Sequence, residues 1–276
     1  MRAKKSLGQN FLRDQTVVER VVGALGLTKD DIVIEIGPGQ GALTETLLEK
    51  AGRVVAIEFD RDLISPLRVQ FHTSDNFELV NADALSFDFR EYYSDGKKLK
   101  LVANLPYNIS TPILQRLIEQ RHVFSSIVLM FQREVVERIT AKPGNKERGF
   151  LSVLVEDAFE TENLFDVPPQ AFQPVPKVWS GVVRLTPKAS EVTDHAAFRK
   201  VLSCSFAQKR KTILNNLKGI FEDAADILFA AEIEPIRRAE TLTLIEWRKL
   251  AGTIRTMQKI PAEISKQKRA TPDQQN

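Results

Sequence analysis

The sequence predicts an α/β fold, a doubly wound sheet of parallel strands covered by helices on both faces, followed by a small all-helical domain. Three observations carry this. Short runs that are apolar at nearly every position alternate with helical stretches as far as Phe159, the signature of strands buried on both faces. A glycine-rich turn lies directly between the first such run and a helix. From about Asp194 onward the pattern is helical only, in several short segments.

The elements follow in order. Asp14 reads as the N-cap of a first helix, with Val17, Val18, Val21, Val22 and Leu25 at helical spacing before Gly26. Ile32-Val33-Ile34-Glu35-Ile36 is the first long strand and stops at Gly37-Pro38-Gly39. A helix with Leu43, Leu47 and Leu48 on one side follows, then a strand from Arg53 to Ile57 ended by Glu58. Asp60 can cap the helix that carries Leu63, Ile64 and Leu67. Phe77–Val80, Leu99–Ala103 and Ser126–Phe131 give three more strands, with helical segments from about Thr111 and Gln132. Pro168, Pro169, Pro174 and Pro176 then punctuate a loop, and Val178–Leu185 reads as the last strand before Pro187. The domain boundary is placed near residue 188, giving domains 1–187 and 188–276, with a polar, frayed tail after Lys266.

Composition agrees with this division and excludes other classes. The chain has 276 residues, 43% of them hydrophobic and 27% charged, enough to build a core without staples. A single cysteine, Cys204, excludes a disulfide framework, a CxxC zinc site and an iron–sulfur cluster, so no metal is expected. The best apolar run, Ile127–Phe131, falls far short of the roughly 18 residues of a membrane helix. The basic N-terminus lacks the apolar stretch of a secretory signal, and a soluble cytoplasmic chain is expected. Formal charge is only +3, but six basic residues and no acid lie between Arg199 and Lys218. Arg2, Lys4, Lys5 and Arg13 form a second cluster without an acid. Such clusters suit either a polyanion-binding face or plain solvation.

The turn Gly37-Pro38-Gly39-Gln40-Gly41-Ala42 sits where ligands bind in doubly wound sheets, at the carboxyl end of a strand. Glycines there let backbone approach a ligand with no Cβ in the way. Glu58, 21 residues after Gly37, can accept hydrogen bonds from both hydroxyls of an adenosine ribose. A nucleoside cofactor follows. Gly37, Gly39 and Ala42 also satisfy the looser dinucleotide pattern, which keeps NAD as a competitor. Two features tilt the other way. The loop reads EIGPGQG, which resembles the first motif of S-adenosylmethionine-dependent methyltransferases. Asp83, after the third long strand, offers a carboxylate for an adenine amino group, although it could equally cap a helix.

The most specific segment is Asn104-Leu105-Pro106-Tyr107, continuing Asn108-Ile109-Ser110-Thr111. Leu105 precedes proline and is pushed toward extended geometry, which aims its carbonyl into the cleft. Asn104 supplies an amide oxygen beside it, and Tyr107 a flat ring. Adenine N6 is a poor nucleophile because its lone pair is delocalised into the ring. Two acceptors, Asn104 Oδ1 and the Leu105 carbonyl, can bind its protons and favour a pyramidal nitrogen, while Tyr107 stacks on an extruded base. No covalent intermediate is needed, in keeping with the isolated Cys204. The alternative is a strand-to-loop turn in which Asn104 caps and Tyr107 packs.

With these residues in place, the sequence resembles the rRNA adenine-N6,N6 dimethyltransferases, in particular their small-subunit (16S) branch. The resemblance runs through Lys5-Ser6-Leu7-Gly8-Gln9-Asn10-Phe11-Leu12, EIGPGQGALT, AIEFDRDL, NADAL, NLPYNIST, FQREVVERI, AFQPVPKVWSGVVRL, Phe206–Thr212 and Arg238–Leu242. It implies a Rossmann-like class I methyltransferase domain and S-adenosyl-L-methionine as cofactor. Asn10 and Leu12 would help hold it, with Gln9 near its methionine end, Gly37 and Gly39 at the loop, Glu58 on the ribose and Asp83 on the adenine. Asn104 would face both methionine and target amine. Phe172 matches an aromatic that clamps the target base opposite Tyr107, or else plugs the space beneath the proline loop. Lys209, Arg210 and Lys211 would meet rRNA phosphates. The implied partner is small-subunit rRNA in a 30S assembly intermediate, met by a monomeric chain without membrane attachment. Trp179 stands where a small or polar residue is expected from the resemblance.

Overall fold

The computed structural model describes residues 9–94, 96–106, 109–190, 192 and 194–267. They divide into two units, one containing the described residues up to Thr140 with Ala158–Ala189, the other Ala141–Asp157 with the described residues from Ser190 onward. The first unit contains β1 (Phe11–Leu12), α1 (Gln15–Gly23), β2 (Ile32–Ile36), α2 (Ala42–Lys50), β3 (Arg53–Glu58) and α3 (Arg61–Gln70). It continues through β4 (Phe77–Asn81), β5 (Leu99–Asn104), α4 (Ser110–Glu119), β6 (Phe124–Gln132), α5 (Arg133–Ile139), β7 (Phe159–Val167), β8 (Phe172–Gln173) and β9 (Ser180–Pro187).

The main sheet has strand order β4-β3-β2-β5-β6-β9-β7. From β4 to β6 every pairing is parallel, with Ile36 opposite Ile57 on one side and Ala103 on the other. The chain winds outward from β2 through β3 to β4, then returns to lay β5 and β6 on the opposite side. Strand order therefore reverses between β2 and β5, which opens a crevice at their carboxyl ends. Helix α1 begins at Asp14, whose Oδ1 accepts from the backbone N–H groups of Thr16 and Val17 at 2.9 and 3.3 Å. Its valines 17, 18, 21 and 22 pack with Leu43 and Leu47 of α2 against Val33, Val54, Val102 and Val128 of the sheet. Full burial of each such side chain stabilises the fold by about 1.5–3 kcal/mol.

The all-parallel expectation needs correction. Strands β9 and β7 pair antiparallel to β6 and to each other. The proline-rich segment between them contains no crossover helix, and a short connection returns a chain antiparallel. Strand β9 also starts at Ser180, two residues later than expected, and includes Pro187. Strand β7 escaped the sequence reading because it is a polar edge, in which only Phe159 and Val167 are buried.

In the second unit, α6 (Phe150–Ala158) joins α7 (His195–Ser205), α8 (Ile213–Leu217), α9 (Ala224–Ala230) and α10 (Leu244–Gln267). The boundary expected near 188 lies close to the crossing after Ala189, but residues 141–157 belong with the helices. Two arginines explain why. Arg148, 1% exposed as a side chain, donates to the Ala141 carbonyl, to Glu156 Oε2 at 2.5 Å and to the Leu242 carbonyl. Arg248 of α10 holds Asp157 Oδ1 through two N–H groups at 3.0 and 2.9 Å. Helix α10 spans 24 residues, longer than the short segments expected there. The residues after Gln267, which include most of the expected frayed tail, lie outside the described residues. Among the described residues no helix is long and apolar enough to cross a membrane.

Candidate functional site

The crevice at the strand reversal is a cleft of about 330 Å3. Its walls come from the ends of four parallel strands and from a segment laid over them. At the end of β2, Gly37 has φ +69° and Gly39 φ +61°, in the left-handed region where a side chain is strained. Nothing lies within 4 Å of a Cβ built on Gly37, whereas one on Gly39 meets the Phe11 ring at 3.0 Å. The loop is tied to β3, since Gly37 N–H donates to the Ile57 carbonyl at 2.9 Å and Gly39 N–H to Glu58 Oε2 at 3.2 Å.

Glu58 ends β3 and is only 6% exposed. Its other oxygen accepts from the Asp60 N–H at 2.7 Å. Burial raises its carboxyl pKa above the ordinary value, and the N–H groups of Asp60 and Gly39 pull the other way. Glu35, 1% exposed on β2, also lines the cleft. Burial pushes its pKa up to about 8 against the hydrogen bond from Thr44 Oγ1, with the Glu58 charge adding to the rise. Asp83 follows β4 and is exposed, and its Oδ1 accepts from the Leu85 N–H at 2.9 Å. No helix starts here, so Asp83 caps a turn and not a helix, and it also lines the cleft.

Residues Gln9–Asp14 cross this end of the sheet as a strap. Gln9 Nε2 donates to Asp60 Oδ2 at 2.9 Å, and the Asn10 carbonyl accepts from Asn104 Nδ2 at 3.3 Å. Phe11 and Leu12 pair antiparallel with Gln173 and Phe172. Arg13 donates from its backbone to the Ala171 carbonyl at 2.8 Å and from its guanidinium to Gln40 Oε1 at 2.7 Å. Because Nδ2 of Asn104 is committed to a carbonyl, its Oδ1 takes the opposite branch of the amide. Leu105, with its N–H to the Met130 carbonyl at 3.3 Å, and Pro106 continue the wall.

The cleft therefore brings together Gln9, Asn10, Leu12, Gly37, Gly39, Glu58, Asp83, Asn104, Leu105, Pro106 and Phe172. Phe172 is 3% exposed and belongs to the hydrophobic core cluster, so it offers the cleft only a small part of its ring. Tyr107, with Asn108 and Lys5–Gly8, lies outside the described residues. Lys209, Arg210 and Lys211 are exposed in the second unit, between α7 and α8. Their loop is pinned by Asn216, which accepts from the Gln208 N–H and donates to the Ser205 and Gln208 carbonyls. Sequence reasoning missed Phe59 as a lining residue; it is 61% exposed beside Glu58. An apolar residue immediately after a strand-ending acid was the available signal. Asp60, read only as a helix cap, also lines the cleft and anchors Gln9.

A buried carboxylate at the tip of β3, a loop with open space over Gly37 and an apolar wall fit an adenosyl group. S-adenosyl-L-methionine meets that description, with Glu58 suited to its ribose hydroxyls and Asp83 to its adenine amine. The family model for ribosomal RNA adenine dimethylase matches residues 1–250. The ribosomal RNA small subunit methyltransferase A of Chromohalobacter salexigens is 45% identical over 259 residues, covering 91% of each chain. A dimethyladenosine transferase from Plasmodium falciparum superposes with TM-score 0.75 and 29% identity, covering 87% of this chain and 95% of that one. The 23S rRNA methyltransferase ErmE gives TM-score 0.67 at 26% identity, covering 89% of this chain and all of that one. The chain belongs to the ribosomal RNA adenine dimethylase family, S-adenosyl-L-methionine-dependent enzymes with a Rossmann-like class I methyltransferase fold.

Proposed function

We propose that this enzyme N6,N6-dimethylates two adjacent adenosines in the 3′-terminal hairpin of small-subunit (16S) rRNA, within a 30S assembly intermediate. The observation that carries the reading is the cleft itself, which Asn104 and Leu105 line together with the glycine loop and Glu58. The near full-length likeness to a small-subunit methyltransferase, at 45% identity against 26% for the 23S enzyme, favours the small-subunit substrate.

S-adenosyl-L-methionine supplies an activated methyl group on a sulfonium. Glu58 would accept hydrogen bonds from the ribose hydroxyls and Asp83 from the adenine amine, while Asn10, Leu12 and Gln9 would help to hold the rest of the cofactor. Gly37 and Gly39 keep that approach clear of side chains. Asn104 Oδ1 and the Leu105 carbonyl accept hydrogen bonds from the N6 amino group of the target adenosine, localise its lone pair and stabilise positive charge that develops on nitrogen. Pro106 holds Leu105 extended for this purpose. Tyr107 and the uncovered edge of Phe172 hold the extruded base between them. The protein's main contribution is alignment. Lys209, Arg210 and Lys211 of the helical domain take rRNA phosphates, so binding weakens with salt.

Tritium-methyl transfer to unmethylated small subunits, followed by nuclease digestion and nucleoside mass analysis, tests the proposal. N6,N6-dimethyladenosine from two neighbouring positions is expected. Label confined to isolated large-subunit rRNA refutes the substrate, and an Asn104→Ala protein whose methyl transfer is intact removes that residue from the chemistry.

A further inference from the structure

The strap between β8 and β9 carries a group that the proposed chemistry does not use. Val175, Val178 and Trp179 are 57%, 41% and 49% exposed, three large apolar side chains shown to solvent within five residues. Their exposure is imposed by the backbone. Phe172 and Ala171 are buried at one end of the strap, Pro176 is buried in its middle, and Arg133 N–H donates to the Trp179 carbonyl at 3.0 Å at the other. Ser180, the next residue, pairs with Gln132 at the end of β6. The segment is thus pinned inward at both ends and the middle, while Val175, Lys177, Val178 and Trp179 face out.

Strand register gives the distance to the reactive corner. Asn104 pairs with Met130, two residues before Gln132, and Gln132 pairs with Ser180. With strands about 4.8 Å apart and a rise of about 3.3 Å per residue, the Trp179 backbone lies about 14 Å from Asn104. Both stand at the same carboxyl edge of the sheet, which is where the cleft opens. An RNA strand that delivers one base to Asn104 has a neighbouring nucleotide within reach of Trp179.

We infer that Trp179, flanked by Val175 and Val178, is a stacking platform for the unpaired nucleotide next to the target adenosine, with the Lys177 ammonium on its phosphate. The inference rests on the proposed RNA substrate. Drawing one base out of a stack exposes a face of each neighbour, and an indole held open to solvent re-covers such a face for any base. The adjoining cation and the continuity of this strap with the cleft wall at Phe172 favour a polyanion with aromatic bases over a protein partner.

The chain has two tryptophans, and Trp247 is fully buried, so acrylamide-accessible emission comes from Trp179. Saturation with an unmodified RNA hairpin bearing adjacent loop adenosines is expected to shield that emission. Trp179→Ala is expected to raise KM for unmethylated small subunits roughly five- to tenfold, with kcat and S-adenosyl-L-methionine affinity held, and Trp179→Phe to recover most of the loss. An unchanged KM in the alanine variant, or emission that saturating RNA leaves open to acrylamide, overturns the platform. Cofactor affinity that is lost as KM rises overturns it too, because the residue would then support the fold. Wild-type protein that methylates no small subunit overturns the substrate reading itself, an outcome distinct from the other three.

Discussion

Glu35 gives the sharpest quantitative prediction. In the unfolded chain its carboxyl titrates near the ordinary value of 4.5, whereas burial in the fold raises this to about 8. Between those values the native state binds more protons than the unfolded state, so stability falls as pH rises through the interval and levels off above it. At about 1.4 kcal/mol per pH unit, the interval integrates to about 5 kcal/mol, an upper limit because water entry relaxes a buried charge. Glu35→Gln keeps the shape and leaves an amide oxygen for the Thr44 hydroxyl, which donates to Oε2 at 2.7 Å. It also removes the titration. Urea unfolding followed by circular dichroism from pH 4.5 to 9, without cofactor, should show the two proteins equal at the acid end. The glutamine variant should gain about 1 kcal/mol per pH unit toward pH 8 and hold a constant advantage beyond it. A difference independent of pH would mean that Glu35 is solvated or paired in the fold, and would refute the reasoning.

Three further outcomes follow from the site. Glu58→Ala removes the acceptor of the Gly39 and Asp60 N–H groups and should raise the cofactor Kd roughly ten- to a hundredfold. RNA affinity measured on the same protein should hold; equal loss of both would contradict the ribose assignment. Asn104→Ala should lower single-turnover methyl transfer about a hundredfold while particle affinity changes little, and unaltered transfer removes its catalytic role. Lys209→Glu with Arg210→Glu should weaken particle binding and flatten its salt dependence while cofactor titration stays normal. Full particle affinity in that double variant assigns the triplet to solvation.

What the sequence made legible has a physical pattern. The four inner parallel strands were readable because burial on both faces leaves them mainly apolar, and Asp14 and Asp60 were readable because a cap is a local device. Gly37, Glu58 and Asn104 were readable because each ends a strand, and parallel strands place their ends together. The illegible parts depend on partners distant in sequence. Strand β7 has charged residues at Glu160, Glu162 and Asp166 and is a strand only because β9 pairs with it. Residues 141–157 join the helical unit through Arg148 and Asp157, whose partners at Leu242 and Arg248 lie over 90 positions away. The β1–β8 ladder is two residues long on each side, too short to leave a period. Phe172, read as either a clamp or a plug, is held by the core cluster and also touches the cleft.

The glycine turn alone left two cofactors open for a physical reason. Everything the turn specifies, a tight bend, an exposed backbone and an acid one strand over, belongs to the sheet and is shared with dinucleotide sites. Contacts from outside the main sheet are added by Gln9–Asp14. That segment closes the loop end through Arg13 and Gln40, the acid end through Gln9 and Asp60, and the reactive end through Asn10 and Asn104. The strap thus meets the glycine loop, the acidic strand end and the Asn104 corner together, contacts that depend on residues far apart in sequence and that the turn alone does not specify.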